Sequence, residues 1–112
     1  MSVNKNTYAI IGFDFTAHKD EILTDSFVES KVYDELTCYQ RIGKTQLFTD
    51  PMSGDYLYFG YIFFESDDSY EEVMKSIVIR DITNIAQDVL EKCKSYFGLE
   101  LSPQVIVFHE YT

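Results

Sequence analysis

The sequence predicts a ferredoxin-like β-α-β-β-α-β sandwich, an α+β domain over residues 1–112 with a four-stranded antiparallel or mixed sheet and two helices on one face. Three observations lead there. Apolar and aromatic runs of strand length open the chain, fill its middle and close it. Two stretches with apolar residues at helical spacing separate those runs. The two most apolar runs are the first and the third, which this arrangement sets side by side at the sheet centre, so pattern and topology agree.

The elements follow in order. Residues 7–15, TYAIIGFDF, are β-branched and aromatic with apolar residues on both parities, and read as a buried strand. The polar stretch Thr16 to Thr24 comes next. Ser26 with Glu29 three residues on fits a capping box. Val28, Val32, Leu36 and Tyr39 then recur at helical spacing, giving a helix over 26–41 that Gly43 ends in the left-handed conformation. Residues 44–49, KTQLFT, are a second strand, and the turn formers of 50–55, DPMSGD, join it to a third over 56–65, YLYFGYIFFE. Tyr56, Tyr58, Ile62 and Phe64 share one face of that strand, and Leu57, Phe59, Tyr61 and Phe63 the other. A strand apolar on both faces belongs at the centre of a sheet. Ser69 and Glu72 form a second capping box. Tyr70, Met74, Ile77, Val78, Ile82, Ile85, Val89, Cys93 and Tyr96 continue one stripe to Gly98. Residues 69–97 are therefore one long helix, or two if the β-branched run Ile77-Val78-Ile79 interrupts it and Asp81 caps the restart. Pro103 precedes a last strand, QVIVFHEY, over 104–111.

A chain of 112 residues can build one core without metal or disulfide staples, and 46% apolar content excludes intrinsic disorder. Nine Tyr and nine Phe supply much of that content. The two cysteines, Cys38 and Cys93, lie far apart and outside any CxxC pair, so both read as buried, reduced side chains. The short polar opening Met1 to Asn6 is no signal peptide, and no apolar run nears the ~20 residues that span a bilayer. A soluble cytoplasmic protein is expected. Nineteen acids against nine bases give a net charge of −10. Nucleic acid and anionic membranes are repelled at that charge, and basic proteins are attracted.

Most signatures of chemistry are missing: no Walker loop, GxGxxG, GxSxG, HExxH or EF-hand loop is present. No cofactor is expected. Gly12, a lone glycine in a strand, marks close packing. His18 and His109 are too few for a His-rich metal site, and His109 reads as structural. Asp14 ends the first strand. In this topology the first and third strands are expected to be parallel neighbours, so Asp14 shares a sheet edge with Glu65, Asp67 and Asp68, with His18 in the next loop, and hard cations take clustered carboxylates of this kind. The simpler reading has Asp14 hydrogen-bonding the start of its loop. The run YAIIGFDF resembles the first strand of two groups of ferredoxin-like nucleases, the small CRISPR-associated ribonuclease family and the virulence-associated protein D toxins. That resemblance implies Asp14 as a metal ligand in a homodimeric nuclease. The chain departs from the pattern in its long polar stretch Thr16 to Thr24 and in lacking a basic surface for RNA.

The other constellation is acidic and aromatic. Asp20, Glu21, Asp25, Glu29, Asp34 and Glu35 crowd one stretch around Tyr33, and Glu65, Asp67, Asp68, Glu71 and Glu72 crowd another around Tyr70. Carboxylates spread over a rigid domain can imitate the phosphates of nucleic acid and occupy a basic groove, drawn in by long-range steering. In size, charge and lack of catalytic motif the chain resembles phage-encoded anti-restriction and anti-CRISPR proteins. The sequence reading is therefore a non-enzymatic inhibitor or adaptor of a nucleic-acid-handling enzyme, its basic protein partner bound through both stretches. Two alternatives stand beside it: a metal-dependent ribonuclease with Asp14 as ligand, and a dimeric regulatory domain binding a small ligand. A homodimer is expected because one helix layer covers only one of the two apolar faces of the third strand.

Overall fold

The computed structural model describes residues 5–38, 42–49, 56–66, 72–74 and 79–111. The chain is α+β. Strand β1 spans Lys5–Asp14, followed by a 3-10 turn, Thr16–His18, and three short helices, α1 Lys19–Ile22, α2 Asp25–Val28 and α3 Lys31–Thr37. Strands β2 Thr45–Thr49 and β3 Leu57–Ser66 come next, then a short strand β4 Glu72–Met74, helix α4 Ile79–Phe97 and strand β5 Gln104–Tyr111. The four long strands form the sheet in the order β2-β3-β1-β5, and β4 adds to β3 beyond them. Every pairing is antiparallel.

The two most apolar strands, β1 and β3, do lie at the centre, but they are not parallel. Thr7 faces Ser66 at one end and Asp14 faces Tyr58 at the other. The reason is the antiparallel pairing of β2 with β3. β3 lies between β1 and β2 and runs opposite to both. The turn of 50–55 falls outside the described residues. A register shift between Ala9 and Ile10 then sets Phe64 opposite Ala9 and Ile62 opposite Ile10. One extra residue reverses the alternation. Phe64 consequently does not share a face with Ile62 as strict alternation predicts.

The expected helix over 26–41 is two helices. Thr24 and Ser30 are the N-caps, accepting from Phe27 N and Tyr33 N, each at 3.2 Å. Ser26 is therefore inside α2 rather than a cap, because Thr24 reaches the free N–H groups first. Gly43 does not end this helix, which stops at Thr37; its N–H donates to Ile62 C=O at 2.9 Å and leads into β2. Of the expected helix over 69–97, Ile79–Phe97 is helical, whereas Glu72–Met74 is a strand against Phe64–Ser66. The free margin of β3 takes Glu72–Met74 as a strand, and the run Ile77-Val78 lies outside the described residues. Asp81 sits in the first turn of α4, where its charge suits the helix dipole, rather than capping it. Gly98, at φ 67°, closes α4 with its N–H on Lys94 C=O at 3.0 Å.

Both faces of the sheet are dry. On one, Phe13, Phe15, Leu47, Leu57 and Phe59 pack with Ile22 of α1, Leu36 of α3 and Val89 and Cys93 of α4. Phe97 seals this layer, its ring centroid 5.2 Å from those of Phe15 and Phe59 and 5.7 Å from that of Phe27. On the other face Tyr8, Ile10, Phe48, Ile62 and Phe108 form a second cluster, with Tyr56, Tyr58 and Ile106 against it. Phe108 stands at its centre, 5.0 Å from Phe48, 4.7 Å from Tyr58 and 5.6 Å from Tyr8. Ile10, Phe48 and Ile62 are each 0% exposed. The expectation of an uncovered apolar face is thereby overturned. The exposed large apolar side chains, among the described residues, are Val28, Tyr96, Val105 and Val107, and none belongs to this cluster.

The two central strands approach closely where Gly12 faces Gly60. A Cβ on Gly12 would clash with Phe59 O and Gly60 Cα, both backbone atoms that cannot swing away. Gly12→Ala is therefore expected to destabilise the fold by about 2–3 kcal/mol, the upper end of overpacking costs. Urea unfolding checks this, and a midpoint unchanged from wild type would contradict it.

Candidate acidic surface

The first acidic stretch is the connection from β1 to β2, and its fold starts at the end of β1. Asp14 Oδ1 accepts the Thr16 N–H at 2.9 Å, turning the chain. Phe15 N–H donates to Leu57 C=O at 2.7 Å, and Leu57 N–H donates to Thr16 Oγ1 at 3.2 Å, so the turn is tied to the start of β3. Beyond it, the Thr24 and Ser30 caps define two short helices. The Ser30 hydroxyl also donates to Phe27 C=O at 2.6 Å and the Thr37 hydroxyl to Tyr33 C=O at 2.8 Å. Such helices are too short to stand alone. Ile22, Phe27 and Leu36 hold them against the core, and Tyr33 packs edge-on to Phe27 at 5.6 Å.

With those anchors turned inward, Asp20, Glu21, Asp25, Glu29, Asp34 and Glu35 are all exposed. Tyr33 is half-buried among them. His18 Nδ1 lies 3.6 Å from Glu21 Oε2, an exposed contact of little energetic weight. Other ion pairs, Asp88 with Lys92 and Glu100 with Lys94, lie along α4 and just past its C-terminus.

The second acidic stretch is arranged differently. Glu65 is half-buried within β3, facing Tyr8 of β1 and Val73 of β4. Glu72 opens β4 instead of a helix, which removes the expected capping box with Ser69. Asp67, Asp68, Tyr70 and Glu71 lie outside the described residues. The two stretches leave the sheet at opposite ends, because Glu65 faces Tyr8 while the first stretch follows Asp14. Six residues of strand, roughly 20 Å, separate those ends.

The same register undoes the proposed neighbourhood of Asp14. An antiparallel β3 puts Tyr58, not Glu65, opposite Asp14. Asp14 is exposed and turns the loop, as the simpler reading has it. Among the described residues no three His, Cys, Asp or Glu side chains are grouped to hold a metal ion. Cys93 is buried as expected. Its thiol is pushed up by burial and donates to Leu99 C=O at 3.5 Å. Cys38 is exposed, not buried, since α3 ends just before it. His109 faces Thr7 across β1 and β5, its Nδ1 2.8 Å from the Thr7 hydroxyl.

A cleft of about 500 Å³ that the sequence does not announce opens between the end of α3, β2 and α4, with Lys44, Gln46, Lys92 and Tyr96 in its wall. Gln46 is buried in this wall. With its amide nitrogen turned to the helix it donates to Leu36 C=O at 2.9 Å and Cys38 C=O at 3.1 Å, satisfying carbonyls that α3 leaves free. Among the described residues no helix is long and apolar enough to cross a membrane. Comparisons of the chain with models of protein families, with curated proteins and with solved structures found no match.

Tyr58 carries the electrostatic signature of this end of the sheet. Burial first, and the Asp14 carboxylate second, hold its hydroxyl above the ordinary tyrosine value of 10.0. The raised value favours the protonated form in the folded chain. Its contribution to stability is complete below the ordinary tyrosine value and is lost as pH rises through the higher folded one. In an alkaline absorbance titration, the step missing from Tyr58→Phe should lie above that of an ordinary tyrosine. Asp14→Asn should lower the step only part way, since burial is the larger cause; a step at or below 10.0 in the wild type would contradict the assignment.

Proposed function

We propose that the protein is a non-enzymatic inhibitor or adaptor, working in the cytoplasm as a homodimer, that engages a basic surface of a nucleic-acid-handling enzyme, as phage anti-restriction and anti-CRISPR proteins do. The observation that carries this reading is the exposure of all six carboxylates from Asp20 to Glu35 on one connection anchored by Ile22, Phe27 and Leu36. A single base, Lys31, lies among them. Such density raises self-repulsion in the folded chain, and a basic partner relieves it. Tyr33 offers contact area and specificity to an attraction that charge alone leaves diffuse. Glu65, Asp67, Asp68, Tyr70, Glu71 and Glu72 form the second contact of this proposal. The strand order β2-β3-β1-β5, with a helical crossover before β2 and another before β5, supports a ferredoxin-like reading in which β4 is an addition.

The metal-dependent ribonuclease loses its main support, because β3 turns Glu65 to the end of the sheet away from Asp14. The small-ligand reading keeps one: an open cleft of about 500 Å³ whose wall includes Lys44, Lys92 and Tyr96.

Reversing Asp20, Asp25, Glu29 and Asp34 to Lys tests the acidic reading without touching the core, because all four are exposed. Partner capture by wild-type protein should be strong at low salt and weak near 1 M, where screening shortens to about 3 Å. The reversed protein should keep its circular dichroism and lose capture at both. If the two proteins capture the same partner equally, these acids serve only solvation.

A further inference from the structure

The two edges of the sheet are unlike. β2 lies at one, with α3 packed on it. β5 lies at the other and pairs in full register with β1 from Gln104 against Gly12 to Tyr111 against Lys5. Its outward backbone can be assigned. Phe15 N–H donates to Leu57 C=O, so odd-numbered residues at this end of β1 direct their polar groups to β3 and even-numbered ones to β5. Gly12, Ile10 and Tyr8 therefore exchange bonds with Gln104, Ile106 and Phe108. Val105 and Val107 turn their N–H and C=O groups away from the sheet. Val105 and Val107 are 59% and 64% exposed, and Gln104 and His109 are exposed as well.

Among the described residues no strand lies beyond β5, and such an edge is normally blunted by lysine, proline or a bulge. β5 has no Lys and no Pro, and its pairing with β1 shows no register shift. From Leu101 to His109 the chain carries no Asp, Glu, Lys or Arg, although its net charge is −10.

We propose that two copies of the chain pair through their β5 edges, antiparallel about a two-fold axis, into one continuous sheet. This pairing gives an interface to the homodimer put forward above and rests on it. Charge selects a second copy as the occupant. A basic partner finds no carboxylate along Leu101 to His109. Another copy of a −10 chain is repelled by acidic surfaces and least repelled here. The acids of α3 flank the opposite edge, three strand spacings or about 14 Å away, and end up on the outer flanks of the pair. The strand is also complementary to itself. With Val107 facing Val107, Val105 meets His109 and Ile106 meets Phe108, so no like charges oppose and an aliphatic-aromatic pair extends the Phe108 cluster across the axis. Isologous pairing uses up both edges and closes the assembly at two.

Light scattering at tens of micromolar, with two variants, tests this. Val107→Pro removes an N–H that β1 does not use, and Val107→Lys keeps the N–H but sets two ammonium groups against each other at an exposed position. Wild-type protein should give twice 13.1 kDa. Both variants should give 13.1 kDa with unchanged circular dichroism. Val107→Lys decides alone if the proline variant unfolds. A wild-type dimer that Val107→Lys leaves intact overturns the β5 interface and keeps the homodimer. A wild-type monomer overturns both, and it is also what a foreign strand as the natural occupant would produce.

Discussion

Two central strands that are apolar on both faces set the terms for the whole molecule. β1 and β3 carry Phe13, Leu57 and Phe59 on one side and Tyr8, Ile10 and Ile62 on the other. Each face must leave water, at roughly 1.5–3 kcal/mol per large side chain. Helices do this on one face. On the other the rings of Tyr8, Phe48, Tyr58 and Phe108 pack against one another in one cluster with Ile10 and Ile62. The close approach of Gly12 and Gly60 belongs to the same constraint, since it leaves that part of the sheet no room for a Cβ.

Charge is what this core cannot hold, and it is displaced to the connections. The segment from Thr16 to Cys38 shows how. Among its apolar residues Ile22, Phe27 and Leu36 are anchors to the core, while Val28 stays exposed. The caps at Thr24 and Ser30 break it into short pieces that keep those anchors inward. The acids between them then face water with no further arrangement. The β5 edge is the complement of this, without Asp, Glu, Lys or Arg from Leu101 to His109 on a strongly acidic chain. The proposed partner-binding flank and the proposed β5 pairing lie at opposite margins of one sheet, so neither excludes the other.

The strands were legible because aromatic and β-branched runs are unambiguous when both parities are apolar, as in YAIIGFDF and YLYFGYIFF. The last strand is found at residues 104–111, as its composition predicts. Helix boundaries were less legible. The stripe Val28, Val32, Leu36 continues through Ser30, so periodicity alone hides the break that Ser30 makes by capping α3. Met74 fits a helical stripe equally well as it fits β4, and only the free margin of β3 decides between them. The acidic stretch 20–35 was legible as exposed charge, whereas the placement of Glu65 and Asp14 depended on strand direction, a tertiary property that spacing does not encode. The cleft at the end of α3 and the buried Gln46 left no signal, because a glutamine in a five-residue strand looks like any solvent-facing polar residue.

The fold stands on the second face of the sheet being as dry as the first. Phe48 and Phe59 are both 0% exposed, one in each cluster. Urea unfolding of Phe48→Ala and Phe59→Ala, measured side by side, compares the two faces directly. Each should cost about 3–5 kcal/mol, the range for a fully buried aromatic ring. A cost for Phe48→Ala below about 1 kcal/mol, within the range of surface substitutions, would mean that its face is open to water.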